Sequence, residues 1–384
     1  MEEVLKIIGY TRKGVPYALK GDTKVEVLYS VLGDEVLVFL NKKRKRVIKG
    51  MLLKVIKPSP LRSADCCMHI DTCGGCPFQA LQYESQLNLK EKIIRDLFSE
   101  YDAEISPIIQ ADHQFFYRNK LEFSFSENRA GMKFLGYTIA CAKSYIFNVE
   151  KCLLASFWFS SVLNHVREFW QNSNLSAYNL HENKGTLKTL TLREGKNTDE
   201  KMVVLTVCRP LLESETETFI QAVEKAVDNP SIYIRYQKIQ KGSPTEFFET
   251  HVKGPESIHE KLNINGKNYL FAISPSSFFQ PNTHQAEKLF EAALKMITPG
   301  KVLFDLYCGT GVIGIIFSHL FEKVIGIELN PDAVKNAEKN KNLNQIKNYS
   351  LYTGDVGDVL KTVSQKPDIV VLDPPRAGLN PQAV

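Results

Sequence analysis

Short β-rich runs separated by turn signals fill most of the first sixty positions, and the pattern then changes several times along the chain. Short β-type runs cover Val4–Tyr10, Val15–Leu19, Lys24–Tyr29, Glu35–Leu40 and Val47–Ile56. Turn signals such as Gly21-Asp22 and Gly33-Asp34 separate them. Five such strands predict a small β-barrel of the oligonucleotide-binding type over residues 1–58. Pro58-Ser59-Pro60 reads as a linker, because proline biases the chain toward extended turns. A helix is expected from Leu81 to Phe98, where Leu87, Ile94, Leu97 and Phe98 recur near helical spacing.

Strands and helices are mixed from about residue 100 to 275, with β-type runs at Lys120–Phe125, Phe134–Tyr137, Leu187–Arg193, Lys201–Val207 and Ser231–Gln237. Residues 59–282 therefore read as a central α+β domain. From Thr283 the pattern becomes a regular alternation. A helix runs to Ile297, and strands Lys301–Leu306, Lys323–Glu328, Ser350–Gly354 and Ile369–Leu372 are separated mostly by helical stretches. That alternation predicts a doubly wound, Rossmann-like α/β domain over residues 283–384.

Composition changes this picture little. Over 384 residues, 43% hydrophobic and 24% charged positions are ordinary globular values. No apolar run approaches the ~18 residues of a membrane span, and the start lacks a signal-peptide layout. The expectation is a cytoplasmic protein, off the membrane, monomeric and without an obligate protein partner. Its eight cysteines would stay reduced there, so a close cluster favours metal or catalysis over disulfides. Charge is more informative. Of the net +5, residues 1–60 alone supply a surplus of 7, which suits a nucleic-acid-binding appendage. The run Lys42-Lys43-Arg44-Lys45-Arg46 is the candidate phosphate contact, its plain alternative being a solvated turn.

Two motifs carry chemistry. The first is Cys67-x5-Cys73-Gly-Gly-Cys76. Thiolates are soft, charged donors for zinc or iron–sulfur clusters, and two residues between Cys73 and Cys76 let one loop wrap a metal. A fourth ligand has to come from elsewhere, with Cys66, Cys141 and Cys152 as candidates. Structural zinc sites usually pair two short spacings, and a second Cys-x2-Cys is missing. The second motif is Asp305-Leu-Tyr307-Cys-Gly309-Thr-Gly311-Val-Ile-Gly314, after an apolar strand and before a helix. Its glycines let backbone approach a ligand, and Glu328 ends the next strand, where a carboxylate can hold ribose hydroxyls. A nicotinamide dinucleotide site fits the same description. The late position of the loop, and Asp373-Pro-Pro-Arg376 ending a later strand, favour S-adenosylmethionine.

In this order the motifs resemble the bacterial RNA uracil-5-methyltransferases, in particular the branch with an N-terminal TRAM barrel and a [4Fe–4S] cluster that modifies 23S ribosomal RNA. The resemblance runs over essentially the whole chain. It includes Cys67…Cys73-Gly-Gly-Cys76-Pro-Phe-Gln79, Tyr117-Arg-Asn-Lys120-Leu-Glu-Phe123, Val149-Glu-Lys-Cys152, Ser277-Phe-Phe-Gln280-Pro-Asn282, the glycine loop and Asp373-Pro-Pro-Arg-Ala-Gly378. It implies Cys67, Cys73, Cys76 and Cys152 as cluster ligands, with Cys66 and Cys141 as bystanders. It implies Gln280, Tyr307, Gly309, Gly311, Glu328 and Asp373 as S-adenosylmethionine contacts, with Asp355 at the adenine amino group. Arg118 and Lys120 would hold RNA phosphate. The family often has Asn where this chain has Val312, which removes one polar cofactor contact.

The resemblance also implies a mechanism in which a cysteine thiolate adds to uracil carbon 6, activating carbon 5 toward the methylsulfonium. The family's nucleophile follows Asp-Pro-Pro-Arg in a Ser-Cys-Asn-Pro type motif, and the general base lies further on. Both are expected C-terminal to Val384, so the sequence reads as a C-terminally truncated form, inactive as it stands. A transfer-RNA uracil-5-methyltransferase and a non-catalytic iron–sulfur RNA-binding protein are the competing readings.

Overall fold

The computed structural model describes residues 1–41, 47–140, 142, 145–239, 245–374 and 378–379. The Lys42–Arg46 run, Cys141 and Arg376 lie outside the described residues. The chain forms two compact units, Met1–Gln114 with Ser124–Leu153, and Phe115–Phe123 with Leu154–Val384.

The first unit opens with strands β1 (Glu2–Lys6), β2 (Gly9–Tyr10), β3 (Pro16–Lys20), β4 (Thr23–Val27), β5 (Glu35–Leu40) and β6 (Val47–Lys57). They form one six-stranded sheet in the order β1-β5-β6-β4-β3-β2. The first predicted strand is broken at Ile7 and Ile8, so there are six strands instead of five. The physical reason lies in the backbone bonding: Ile7 N–H donates to Asp34 O, while Ile8 N–H turns to Tyr17 O. The chain thus steps from one edge of the strand order to the other within two residues. Every second side chain points inward, and Leu5, Ile7, Ala18, Val25, Val27, Val36 and Val38 make the core.

The Pro58–Pro60 segment is not a loose linker. Ser59 is buried, its N–H donates to Asp34 Oδ1 at 2.8 Å, and Arg62 pairs with the same fully buried carboxylate at 2.9 Å. Helix α1 (Tyr83–Leu97) follows. Its buried Leu89 packs with Val31, Ala80 and Leu81. Strand β7 (Lys120–Glu127) contributes its last four residues to this unit, pairing antiparallel with β8 (Lys133–Thr138), which pairs with β9 (Ile146–Asn148).

The second unit begins with the first half of β7 and continues through α2 (Phe157–Gln171), β10 (Leu187–Glu194), β11 (Lys201–Val207), α3 (Glu213–Glu224), β12 (Ser231–Lys238) and β13 (Glu246–Lys253). Their sheet order is β13-β12-β11-β10-β7. A hairpin of β14 (Ile258–Ile264) and β15 (Lys267–Ile273) leads to α4 (Thr283–Met296). Then come β16 (Gly300–Leu306), α5 (Val312–Phe317), β17 (Phe321–Glu328), α6 (Pro331–Leu343), β18 (Tyr349–Thr353), α7 (Val356–Leu360) and β19 (Ile369–Leu372). The four strands form a parallel sheet in the order β18-β17-β16-β19, as the alternating pattern predicts. One continuous core joins the two sheets: Met202 and Val204 of β11, Leu262 and Phe271 of the hairpin, Phe290 of α4, and Leu303 and Val324 of the parallel sheet. Among the described residues, no helix is long and apolar enough to cross a membrane.

Candidate functional site

Parallel strands end together, so whatever follows their last residues is gathered along one edge. Leu306 pairs with Ile327 on one side and Leu372 on the other, and Glu328 pairs with Thr353. Tyr307, Glu328, Asp355 and Asp373 therefore stand at or just beyond the carboxyl ends of four neighbouring strands. Tyr307 has φ 63°, a left-handed conformation that costs a non-glycine residue roughly 1–3 kcal/mol and persists where the surroundings enforce it. The turn continues through Gly309 at φ 55° and Gly311 at φ 80° into α5.

The glycines do different work. A Cβ on Gly309 would meet nothing within 4 Å, so its left-handed turn faces open space where a ligand can approach. A Cβ on Gly314 would lie 2.3 Å from the Tyr349 ring, and one on Gly326 2.5 Å from the Tyr349 hydroxyl. Those two glycines leave room for a buried tyrosine beneath the loop. Glu328 accepts the Gly309 N–H at 3.1 Å and the Asn330 N–H at 2.8 Å through different oxygens. Each oxygen keeps a lone pair for a ribose hydroxyl. Asp355 spends Oδ1 on the Gly357 N–H as the cap of α7, leaving Oδ2 for a second task. Asp373 is exposed, and its N–H reaches Leu306 O at 3.5 Å. Gln280 is half-buried on the segment before α4, with its carbonyl held by Asn119 Nδ2 at 2.8 Å.

Under the loop lies an electrostatic feature that motif reading does not bring out. Asp305 is buried, and its Oδ2 accepts from Gly314 N–H and from Tyr349 Oη, each at 2.9 Å. Burial pushes its pKa up to about 6, with Asp373 and Glu328 adding repulsion and the two hydrogen bonds opposing. The Tyr349 hydroxyl is raised well above its ordinary value by burial and by Asp305. Burial, with Asp305 again beside it, likewise drives the Cys308 thiol far upward. A thiol held protonated in this way is a packing residue and not a nucleophile. An acid near the end of an otherwise apolar strand was a usable signal for Asp305, whereas nothing local in Asn-Tyr-Ser marks Tyr349.

The cysteine loop belongs to the first unit. Cys73 pairs by an isolated bridge with Ile139, and His69 Nε2 accepts the Glu150 N–H at 3.1 Å. The segment 67–76 therefore lies against the one that carries Cys152. Yet among the described residues no three His, Cys, Asp or Glu side chains are arranged to hold a metal ion. The backbone segments that carry Cys67, Cys73, Cys76 and Cys152 are neighbours, and their side chains do not form a ligand group among the described residues. Local bonding is one reason: Cys67 Sγ accepts the His69 N–H at 3.5 Å, and Cys73 is bonded by the Gly75 N–H. Burial raises the pKa of Cys73, and likewise of Cys66. The donor set suits a soft metal in chemistry, and the side-chain geometry does not present it as a ligand group.

Of the RNA candidates, Lys120 opens β7, and Arg118 lies two residues before it in isolated bridges to Ala155 and Asn282. Arg118 Nε is buried without a hydrogen-bond partner among the described residues. Burial, then the charge of Arg193, lowers the Lys120 pKa. A cavity of about 410 Å³ between α2 and α3, lined by His165, Glu168, Gln221 and Lys225 among others, contains none of the predicted site residues.

The tRNA (uracil-5-)-methyltransferase family model matches residues 82–363. A protein described as an uncharacterized RNA methyltransferase from Protochlamydia amoebophila (strain UWE25) is 40% identical over 384 aligned positions, covering 94% of this chain and 87% of its own. One from Clostridium tetani (strain Massachusetts / E88) is 32% identical, covering 94% and 80%. The crystal structure of Pyrococcus abyssi tRNA (uracil-54, C5)-methyltransferase in complex with S-adenosyl-L-homocysteine matches at a TM-score of 0.76 and 26% identity, over 99% of this chain and 85% of that one. A family match over most of the chain, on a parallel-sheet edge of this form, leads to one conclusion: the chain belongs to the S-adenosylmethionine-dependent RNA (uracil-5-)-methyltransferase family.

Proposed function

We propose that this protein methylates carbon 5 of a uridine in 23S ribosomal RNA. The observation that carries the reading is the gathering of Tyr307, Glu328, Asp355 and Asp373 at one sheet edge in a chain of this family. Glu328 holds the ribose of S-adenosylmethionine, and the Tyr307 ring lies along the cofactor. The backbone at Gly309 gives it room, and Gly311 completes the left-handed turn into α5. Asp373 takes the ammonium group or a base edge, Asp355 the adenine amino group, and Gln280 bridges cofactor and uracil. The target base leaves its stack to reach this edge.

The chemistry needs a thiolate that adds to uracil carbon 6. Carbon 5, now enolate-like, attacks the methyl carbon as the sulfonium sulfur takes back the bonding pair. A base then removes the carbon-5 proton and the thiolate is expelled. Cys308 does not supply that thiolate, because it is buried and its thiol is held protonated. Residues 1–81 precede the family match and hold most of the basic surplus. We assign them as a TRAM-type RNA-binding barrel followed by a [4Fe–4S] loop on Cys67, Cys73 and Cys76, with Cys152 as the fourth ligand from later in the chain and the cluster a structural staple outside the methyl transfer. RNA phosphate is held by Arg118, Lys120 and the Lys42–Arg46 run.

Transfer RNA is the second reading, favoured by the activity named for the Pyrococcus abyssi protein. The test uses protein expressed from the complete gene, methyl-labelled S-adenosylmethionine, and unmodified 23S ribosomal RNA and transfer RNA in parallel. Label recovered as 5-methyluridine from 23S RNA is the expected result. Label in transfer RNA alone moves the substrate to the second reading, and label in neither overturns the proposal.

A further inference from the structure

The segment Ser274–Asn282, between β15 and α4, has no regular secondary structure, and apart from Ser274 O, which accepts the Ser277 N–H at 3.2 Å, its backbone carbonyls draw their partners from outside it. Three buried side chains supply most of them. Arg193 Nη1, from β10, donates to the carbonyl oxygens of Ser274 at 2.9 Å, Pro275 at 3.3 Å and Ser277 at 2.8 Å. Asn119, at the start of the β7 region, donates its amide Nδ2–H to Gln280 O at 2.8 Å and its backbone N–H to Pro281 O at 2.9 Å. Thr310, inside the glycine loop, donates its hydroxyl to Phe278 O at 3.4 Å. Arg193, Asn119 and Thr310 are 2%, 3% and 5% exposed. The segment is therefore tied to the central sheet at both ends and to the cofactor loop in the middle.

The arrangement asks for these residue types. All three contacts come from Nη1, whose N–H directions are fixed by the guanidinium plane, whereas a lysine ammonium rotates about its last bond and leaves those directions unfixed. Burial, with Arg235 nearby, brings the Arg193 pKa down to about 10, so it remains a cation at neutral pH. Asn119 Nδ2 also lies 3.0 Å from Thr283 Oγ1, the first residue of α4. One amide thus fixes Gln280 and the start of the following helix together.

We propose that Arg193 and Asn119 are positioning residues that act through Gln280, holding it in register with the cofactor loop through the Phe278–Thr310 contact. The proposal rests on the reading of Gln280 as a site residue in uridine methylation. A purely fold-stabilising latch would lower stability without acting through Gln280, and a double-mutant cycle separates the two.

The experiment compares Arg193→Lys, Asn119→Ala, Gln280→Ala and the doubles with Gln280→Ala, all expressed from the complete gene, on a 23S RNA transcript. Each latch variant should lower kcat at least tenfold while the dissociation constant for S-adenosylmethionine stays within threefold. In the Gln280→Ala background the same latch substitution should cost less than twofold further. Losses that multiply across the double, or an unchanged kcat, overturn the proposal. If Arg193→Lys does not fold, Asn119→Ala runs the same cycle. If the unsubstituted protein makes no 5-methyluridine, the functional reading has failed separately, and amide exchange at Phe278–Gln280 then reads the latch alone. Exchange there should quicken at least tenfold in the folded latch variant while β10 and β11 stay protected, and unchanged exchange overturns the latch.

Discussion

At the residue scale the site is built on a buried tyrosine that no motif announces. Tyr349 lies beneath Gly314 and Gly326 and bonds Asp305, so the glycine loop rests on its ring. Gly314→Ala would place a methyl 2.3 Å from a ring that is 2% exposed and has nowhere to move. The expected loss is about 3 kcal/mol or more, since overpacking a rigid core costs on that order. Gly309→Ala meets open space and should cost only about 1 kcal/mol, for its positive φ. Urea unfolding of the two variants checks this, and equal losses would remove Tyr349 from the argument. Asp305 adds a pH signature. Its folded pKa of about 6 is above the ordinary carboxyl value of 3.8, so the folded state binds the extra proton. That contribution to stability is fully present below about pH 4 and is lost as pH rises through 6, by roughly 3 kcal/mol at most. Asp305→Asn should abolish this part of the slope between about pH 4 and 6 in urea unfolding. A variant whose slope matches the unsubstituted protein would show that Asp305 does not titrate there. Glu328 and the glycines could be picked out from spacing, because motif and strand end coincide in the sequence, whereas Tyr307 was implied by the family resemblance. Tyr349, Asn119 and Arg193 could not, because their side-chain hydrogen-bond partners lie 44 to 164 positions away.

At the element scale, legibility followed periodicity. The central parallel strands β16 and β17 are largely buried and read as short apolar runs, and all four strands, β16 to β19, fall within two residues of their expected bounds. The first β run misled, because the β-rich apolar run continues through Ile7 and Ile8 while the backbone changes partners there. The Pro-Ser-Pro segment misled for a related reason. Proline content speaks of local conformation and is silent about Asp34, whose buried carboxylate recruits Ser59 and Arg62 from 25 and 28 positions away. The charged run Lys42–Arg46 joins β5 to β6 in the sequence, and its role is open to measurement. Replacing all five with Gln should weaken RNA binding and flatten its salt dependence, by about 0.7 to 0.9 in log–log slope for each phosphate that is no longer neutralised. Preference among RNA sequences should stay as it was, because phosphate contacts position without reading bases. A salt slope unchanged by the five substitutions would leave the run as a solvated turn.

At the scale of the whole molecule, the chain divides its tasks between units. The second unit carries the cofactor edge, the Gln280 segment and Arg118 with Lys120. The first carries the basic β-sheet and every cysteine of the 67–76 loop together with Cys152. The grouping of segments around that loop was legible from Cys-x2-Cys and the later Val-Glu-Lys-Cys, but the ligand geometry was not. Side chains of a metal loop are set by the metal as much as by the backbone, and locally bonded thiols such as Cys67 and Cys73 have a competing arrangement. The prediction is that anaerobically purified protein carries about four irons per chain with broad visible absorption, as four thiolate ligands of one [4Fe–4S] cluster require. Cys73→Ser should lose both the colour and much of the soluble yield, because the proposed cluster would tie the 67–76 loop to the segment ending at Cys152. Cys66→Ser should lose neither: its thiol sits 3.6 Å from Ser63 O and Gln79 O, bonded to its own loop. Stoichiometric zinc would replace the cluster with a structural zinc site on the same thiols. Neither metal, with Cys73→Ser as soluble as the parent, would leave the loop held by its own hydrogen bonds and remove the staple from the first unit.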